Sequence, residues 1–182
     1  MAGKYKILDL WSVKGSASKT VTLLKNLIPQ NIKQDHAVVF LGENHGSDVD
    51  AEVTKAIVAN PPKYSANANE NRVMFERGLR EKTEHQTTAP RYQGSPTSDV
   101  FGAEKLEKSE GGQRAARSLN MAQWILTAFE DEGIKYYYVA CGSEHAQEVF
   151  DGLDSKNSKL AKPFDFDFVC KMDDGYYQKK KA

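Results

Sequence analysis

Three short apolar runs constrain this chain more than any other feature. Ala37-Val38-Val39-Phe40-Leu41, Arg72-Val73-Met74-Phe75-Glu76 and Ile134 to Cys141 are too short for ordinary helices, and their middles carry no polar alternation. Such a run buries both of its faces, as strands do in a parallel sheet covered by helices. Helical patterns fall between them. Ser16 or Ser18 caps a helix through Thr20–Leu27, with Pro29 just past its end, and Asp48 or Asp50 opens one through Ala51–Ala59 that Asn60-Pro61-Pro62 stops. The longest runs from Gln113 to Glu132. Leu119, Ala122, Leu126 and Phe129 form its apolar stripe, flanked by Met121, Ile125 and Ala128, and Gly133 ends it as a left-handed cap. A short helix follows from about His145 to Leu153. Phe164 to Cys170 alternates strictly and reads as a half-exposed strand near a sheet edge. This order predicts an α/β fold, a mainly parallel central sheet flanked by helices through right-handed crossovers.

The 182 residues fit a single domain, 1–182, large enough to bury a core without disulfides. Residues 77–112 show no convincing period beyond a helical turn at Ala103–Lys108. They are expected to form a long loop over the site, since loops of this length in a domain are usually functional or disordered. Acidic and basic residues balance at 25 each, so no global field draws in nucleic acid or an anionic membrane. Lys179-Lys180-Lys181 reads as a solvated chain end. Cys141 and Cys170 sit in apolar runs and read as small buried hydrophobes, which makes a reducing compartment the default. No stretch approaches the ~20 apolar residues of a membrane span, and the N-terminal segment lacks a signal-peptide pattern. The expected location is the cytoplasm, or wherever a secretion route not visible in the sequence delivers the protein.

Ligands of such sheets bind beyond the carboxyl ends of the strands. There the three buried runs end in titratable residues: Glu43 and His45 after the first, Glu76 after the second, Glu144 and His145 after the third. The segments Gly42-Glu43-Asn44-His45 and Gly142-Ser143-Glu144-His145 repeat one pattern at corresponding places, with a glycine where each strand breaks into a loop. Taken singly, Gly-x-x-His is common, each histidine is more often a surface or capping residue, and Glu76 is an ordinary strand end. Taken together they matter more, because two of the four histidines follow buried strands in one motif. His36 lies on the opposite rim and reads as structural or solvent-facing. His85 and Tyr92 lie in the long loop and read as solvated. In the long helix, Arg117, Asn120 or Met121, and Trp124 share a face. Arg117 either sits in solvent or keeps nearby carboxylates ionised and clamps an anionic group.

Imidazole with carboxylate suits two chemistries. His45, His145 and Glu76 are a ligand set for a divalent metal (Mn, Zn or Fe) that activates water, with Glu43 as general base. Without a metal, the same residues perform acid–base catalysis, a histidine being oriented by a glutamate. The fixed cation of Arg117 weighs against a divalent ion about as strongly as the ligand set favours one.

From Ala37 to Leu153 these segments, with Arg117-Ser118-Leu119-Asn120-Met121-Ala122, resemble the Tiki/TraB, ChaN and erythromycin esterase-like superfamily in type and order. The resemblance implies a hydrolase-type pocket, esterase or protease, with its site on Glu43, His45, Glu76, Arg117 and His145. It implies a divalent metal in the Tiki branch; the substrate is expected to be a small molecule or peptide, but its identity does not carry over. In the ChaN branch it implies haem binding without turnover, which makes a binding module for haem or a protein partner the alternative. A compact domain also suits a bacterial toxin or effector module. The chain departs from the family in lacking the esterases' helical additions and Tiki's membrane anchor, and 77–112 matches no part of the pattern.

Overall fold

The structure, a computed structural model, describes residues 3–75 and 110–181. Strand and helix alternate along them: β1 (Gly3–Ile7), α1 (Ala17–Asn31), β2 (His36–Glu43), α2 (Asp48–Ala59), β3 (Asn71–Phe75), α3 (Glu110–Asp131), β4 (Tyr136–Gly142), α4 (Ala146–Asn157), β5 (Phe166–Lys171) and α5 (Asp174–Lys181). The five strands form one sheet in the order β1-β5-β2-β4-β3, with every neighbouring pair parallel. The expected α/β fold with a parallel sheet flanked by helices is therefore present.

The strand order dictates where the helices go. The chain steps from β1 to β2 and on to β3 in one direction, then reverses through β4 to β5. Right-handed crossovers place helices of opposite travel on opposite faces. Accordingly α1 packs with α2, and α3 packs with α4. Gly152 sets the closeness of the second pair: a Cβ there would lie 3.1 Å from Leu119 Cδ2 and 3.2 Å from Ala122 Cβ.

Register sorts the side chains between the faces. Phe40 aligns with Val139 and Cys170 and points toward α3 and α4. On that face Phe40 stacks on Phe168 at 5.9 Å, and Phe168 meets Phe150 of α4 edge-on at 5.5 Å. Val39, Leu41 and Glu43 point the other way, toward α1 and α2, in register with Val169 and Lys171. His36, at the start of β2, packs its ring edge-on against Phe129 and Phe164 and has the structural role expected of it. Burial there lowers its pKa, against the pull of Asp35.

The last strand differs from its sequence reading. β5 lies between β1 and β2, and every residue from Phe166 to Lys171 is buried. Its alternation marks two differently lined buried faces. Phe166, Phe168 and Cys170 enter the aromatic layer, while the polar alternates are buried against partners. Asp167 accepts the backbone N–H groups of Lys33 and Gln34, and Lys171 pairs with Asp50. Among the described residues the edges belong to β3 and to β1, which the sequence reading missed and whose Lys4 and Lys6 face solvent as edge-strand lysines do.

Two helix ends also differ. α1 continues to Asn31 with Pro29 inside it. Pro29 removes only the bond to the carbonyl of Lys25, a solvent-exposed residue, while Leu24 and Ile28 bury the inner stripe. α2 is capped by Ser47, whose hydroxyl accepts from Asp50 N at 3.2 Å, which leaves Asp50 to turn inward. Cys141 and Cys170 are buried thiols outside any disulfide, and burial pushes that of Cys170 up to about 12. Glu76, His85, Tyr92 and the helical turn expected at 103–108 lie outside the described residues, and where description resumes, Glu110 is already helical. No helix among the described residues is long and apolar enough to cross a membrane.

Candidate active site at the carboxyl rim

β2 and β4 are neighbours, yet beyond their carboxyl ends the chain leaves toward opposite faces, to α2 and to α4. Where adjacent strands diverge in this way a crevice opens, the usual ligand position in open α/β sheets. Glu43 and Gly142 are register partners at this divergence. The two Gly-x-x-His segments therefore flank the divergence as two lips, one after each strand.

On the β2 lip the chain is held from below. A Cβ on Gly42 would fall 2.5 Å from Ser143 Oγ and 2.6 Å from the Lys171 carbonyl oxygen, so the close approach of β2, β5 and the turn after β4 requires glycine. Glu43 follows, buried and turned toward α2. Desolvation raises its pKa above the usual carboxylate range, against the opposing pull of the nearby Thr54 hydroxyl, His45 and Lys171. His45 stands at the surface with Nδ1 3.8 Å from Glu43 Oε2. Beneath them Lys171 and Asp50 form a fully buried ion pair. Lys171 Nζ donates to the carbonyl of Gly42 at 2.8 Å, and Asp50 Oδ2 accepts the N–H of Asn44 at 2.9 Å. One ion pair thus grips the backbone on both sides of Glu43.

On the β4 lip, a 3-10 turn (Ser143–His145) carries His145 back beneath α3. His145 is buried, and its Nδ1 lies 2.8 Å from the Oγ of Ser118, itself buried on α3. Ser118 Oγ is 2.8 Å from Glu148 Oε2 and 2.9 Å from the Arg114 carbonyl. Arg114 closes the network: Nε and Nη2 donate to Glu148 Oε1 at 3.2 and 3.1 Å, and Nη1 lies 3.8 Å from Glu144. Desolvation pushes the Glu148 carboxyl up, but hydrogen bonds from Ser118 and Arg114 outweigh it and hold the group below its ordinary value. Ser143 Oγ accepts the N–H of Asp173 at 2.9 Å, which ties this lip to the exit of β5.

Of the residues expected at the site, Glu43, His45 and His145 lie on one rim, and Glu43 and His45 meet directly. His145 instead joins a separate cluster across the sheet, with Ser118, Glu148 and Arg114. Arg117 is half-buried on α3, one position before Ser118, and the guanidinium bonded to Glu148 is that of Arg114. Glu76 follows the last residue of β3 and lies outside the described residues. Asp50, Lys171, Ser118 and Glu148 escaped the sequence reading. The readable signal for two of them was spacing, since Ser118 lies one helical turn after Arg114, and Glu148 three residues after His145. Among the described residues, no group of three or more His, Cys, Asp or Glu is arranged to hold a metal ion. Comparison with protein families, with curated proteins and with solved structures returned no match.

Proposed function

We propose that this chain is a single-domain hydrolase that activates water at the Glu43–His45 pair, with His145 on the facing lip of the same crevice. One observation carries this reading: a buried carboxyl with a raised pKa lies beside a solvent-facing imidazole where the sheet diverges. His45 takes the proton of an attacking water, and the nearby Glu43 carboxylate, shielded from solvent, stabilises the imidazolium that forms. The same reading assigns Glu76 and Arg117 to the site, the latter as clamp for an anionic group on a small-molecule or peptide substrate. It also matches the resemblance to the Tiki/TraB, ChaN and erythromycin esterase-like superfamily.

The metal version needs His45, Glu76 and His145 on one ion. Glu76 lies outside the described residues, and Ser118 engages only Nδ1 of His145. The Glu43–His45 step needs no metal, so on this reading hydrolysis survives EDTA, whereas activity lost to EDTA and restored by Mn or Zn would put a metal at the site. A panel of ester and peptide substrates tests the assignment. His45→Ala and Glu43→Gln should lose at least ~100-fold in turnover, the usual scale of acid–base assistance, with unchanged circular dichroism. Turnover that persists in both variants removes the pair from the chemistry.

One observation favours a second reading, a pocket that binds without turnover. His145 is 1% exposed, so of the two histidines only His45 presents its ring to an incoming ligand. One accessible imidazole suits a single axial bond to haem. A saturable Soret band with haemin that disappears in His45→Ala, in protein that hydrolyses nothing, would establish this reading in place of the hydrolase.

A further inference from the structure

The Ser118 hydroxyl has a single proton and three polar neighbours. Two of them, the Arg114 carbonyl at 2.9 Å and the Glu148 carboxylate at 2.8 Å, can only accept. The third is Nδ1 of His145, at 2.8 Å. If the hydroxyl gave its proton to Nδ1, both of the others would face oxygen lone pairs at hydrogen-bond distance in a part-buried site, one of them a carboxylate. Only one such contact remains when Ser118 donates to one of the acceptors and receives a proton from the ring. Arg114, with two donors on Glu148 Oε1, keeps that carboxyl ionised and so keeps it an acceptor.

We infer that Ser118, backed by Glu148 and Arg114, is a positioning residue that holds neutral His145 in its Nδ1–H form and so makes Nε2 the lone-pair atom of the ring. The second nitrogen of a working imidazole is commonly fixed in this way by a neighbouring carboxylate or carbonyl. Here a hydroxyl stands between ring and carboxylate. Using Nε2 in catalysis rests on the hydrolase reading, whereas the protonation pattern does not, so a spectroscopic test separates the two.

The test is long-range proton–nitrogen correlation spectroscopy of the whole uniformly 15N-labelled chain, at a pH where the rings are neutral. Only four histidines are present, and single substitutions of the other three assign the signals. In the wild type, Nδ1 of His145 should resonate as the protonated nitrogen and Nε2 as the unprotonated one. Ser118→Ala should shift the ring toward the Nε2–H form that free imidazole side chains prefer. Glu148→Gln, whose amide can donate to Oγ and release the hydroxyl proton, should shift it less, and this variant serves if Ser118→Ala does not fold. An Nε2–H ring in the wild type overturns the assignment whatever substrate the protein has. A ratio unmoved by Ser118→Ala overturns the role of Ser118, and one unmoved by Glu148→Gln removes Glu148 from it.

Discussion

Under the β2 lip the ion pair is almost wholly shielded from water: Lys171 and Asp50 are 2% and 1% exposed. On the β4 lip the polar groups form a gradient, from buried Ser118 and His145 outward to Glu148 and Arg114, at 33% and 47%, and to Glu144 at 64%. The two lips are equivalent by motif and by position on the sheet, yet the physics differs. The first lip is held by a dry ion pair, whose partners cannot be separated cheaply. The second is held by hydrogen bonds from a hydroxyl to a ring and to a carboxylate, and its far end, the Glu148–Arg114 pair, is solvated. Similar Gly-x-x-His segments therefore create different risks for the fold and different roles for their histidines, His45 at the surface and His145 locked beneath a helix.

Breaking the dry pair is expected to have the largest effect. Lys171→Met leaves the Asp50 carboxylate buried without its countercharge and should cost about 3–5 kcal/mol. Lys171→Met with Asp50→Leu should recover much of that loss, leaving about 1–3 kcal/mol for the unmatched Gly42 carbonyl and Asn44 amide. Urea denaturation of the single and double variants measures both. If the double variant is no more stable than the single, the two charges are not coupled and the contrast between the lips fails.

Ser118→Ala, on the other lip, should cost less, about 1–3 kcal/mol, because it deprives a buried ring nitrogen of its partner without stranding a buried charge. A loss equal to that of Lys171→Met would show that the solvated network is as tightly coupled as the dry one.

The pH dependence sharpens the contrast, because the two carboxyls shift in opposite directions. Glu43 has a raised folded-state pKa, so its contribution to stability is fully present below the ordinary carboxylate pKa and is lost as pH rises through the raised value. Glu148 has a lowered one, so its contribution is present above the ordinary value and is lost as pH falls through the depressed value. Unfolding free energies measured from acid to neutral pH should show Glu43→Gln gaining on the wild type as pH rises, and Glu148→Gln losing. Curves of the same slope would remove the distinction.

The smallest effect is expected at the outer end of the gradient. Glu144 meets Arg114 only at 3.8 Å and in solvent, so Glu144→Gln should change stability by no more than about 0.5 kcal/mol. A larger loss would mean that the gradient is steeper than its exposure suggests.

Much of the fold was legible because continuous apolar runs can settle only where both faces are covered. Ala37 to Leu41 and the run ending at Cys141 therefore identified interior parallel strands and, with them, the rim that carries Glu43, His45 and His145. Phe164 to Cys170 misled because alternation is the ordinary mark of a half-solvated strand. Asp167 and Lys171 satisfy the alternation while lying inside the protein, since each finds its partner across more than a hundred residues of chain. Edge strand β1 was missed because its short, lysine-interrupted segment carries little apolar signal.

By itself, the sequence determined the class of fold, the parallel sheet, the end of the strands at which titratable residues gather, and the repetition of Gly-x-x-His at two strand ends. These follow from local pattern, which each short segment carries in full. Tertiary structure decided which charge meets which: Asp50 with Lys171 under Glu43, and Ser118 between His145 and Glu148. Those pairings depend on the strand order β1-β5-β2-β4-β3 and on right-handed crossovers that send α2 and α4 to opposite faces. No local pattern encodes that order, because a buried charge is stable only beside a partner that the completed sheet brings to it.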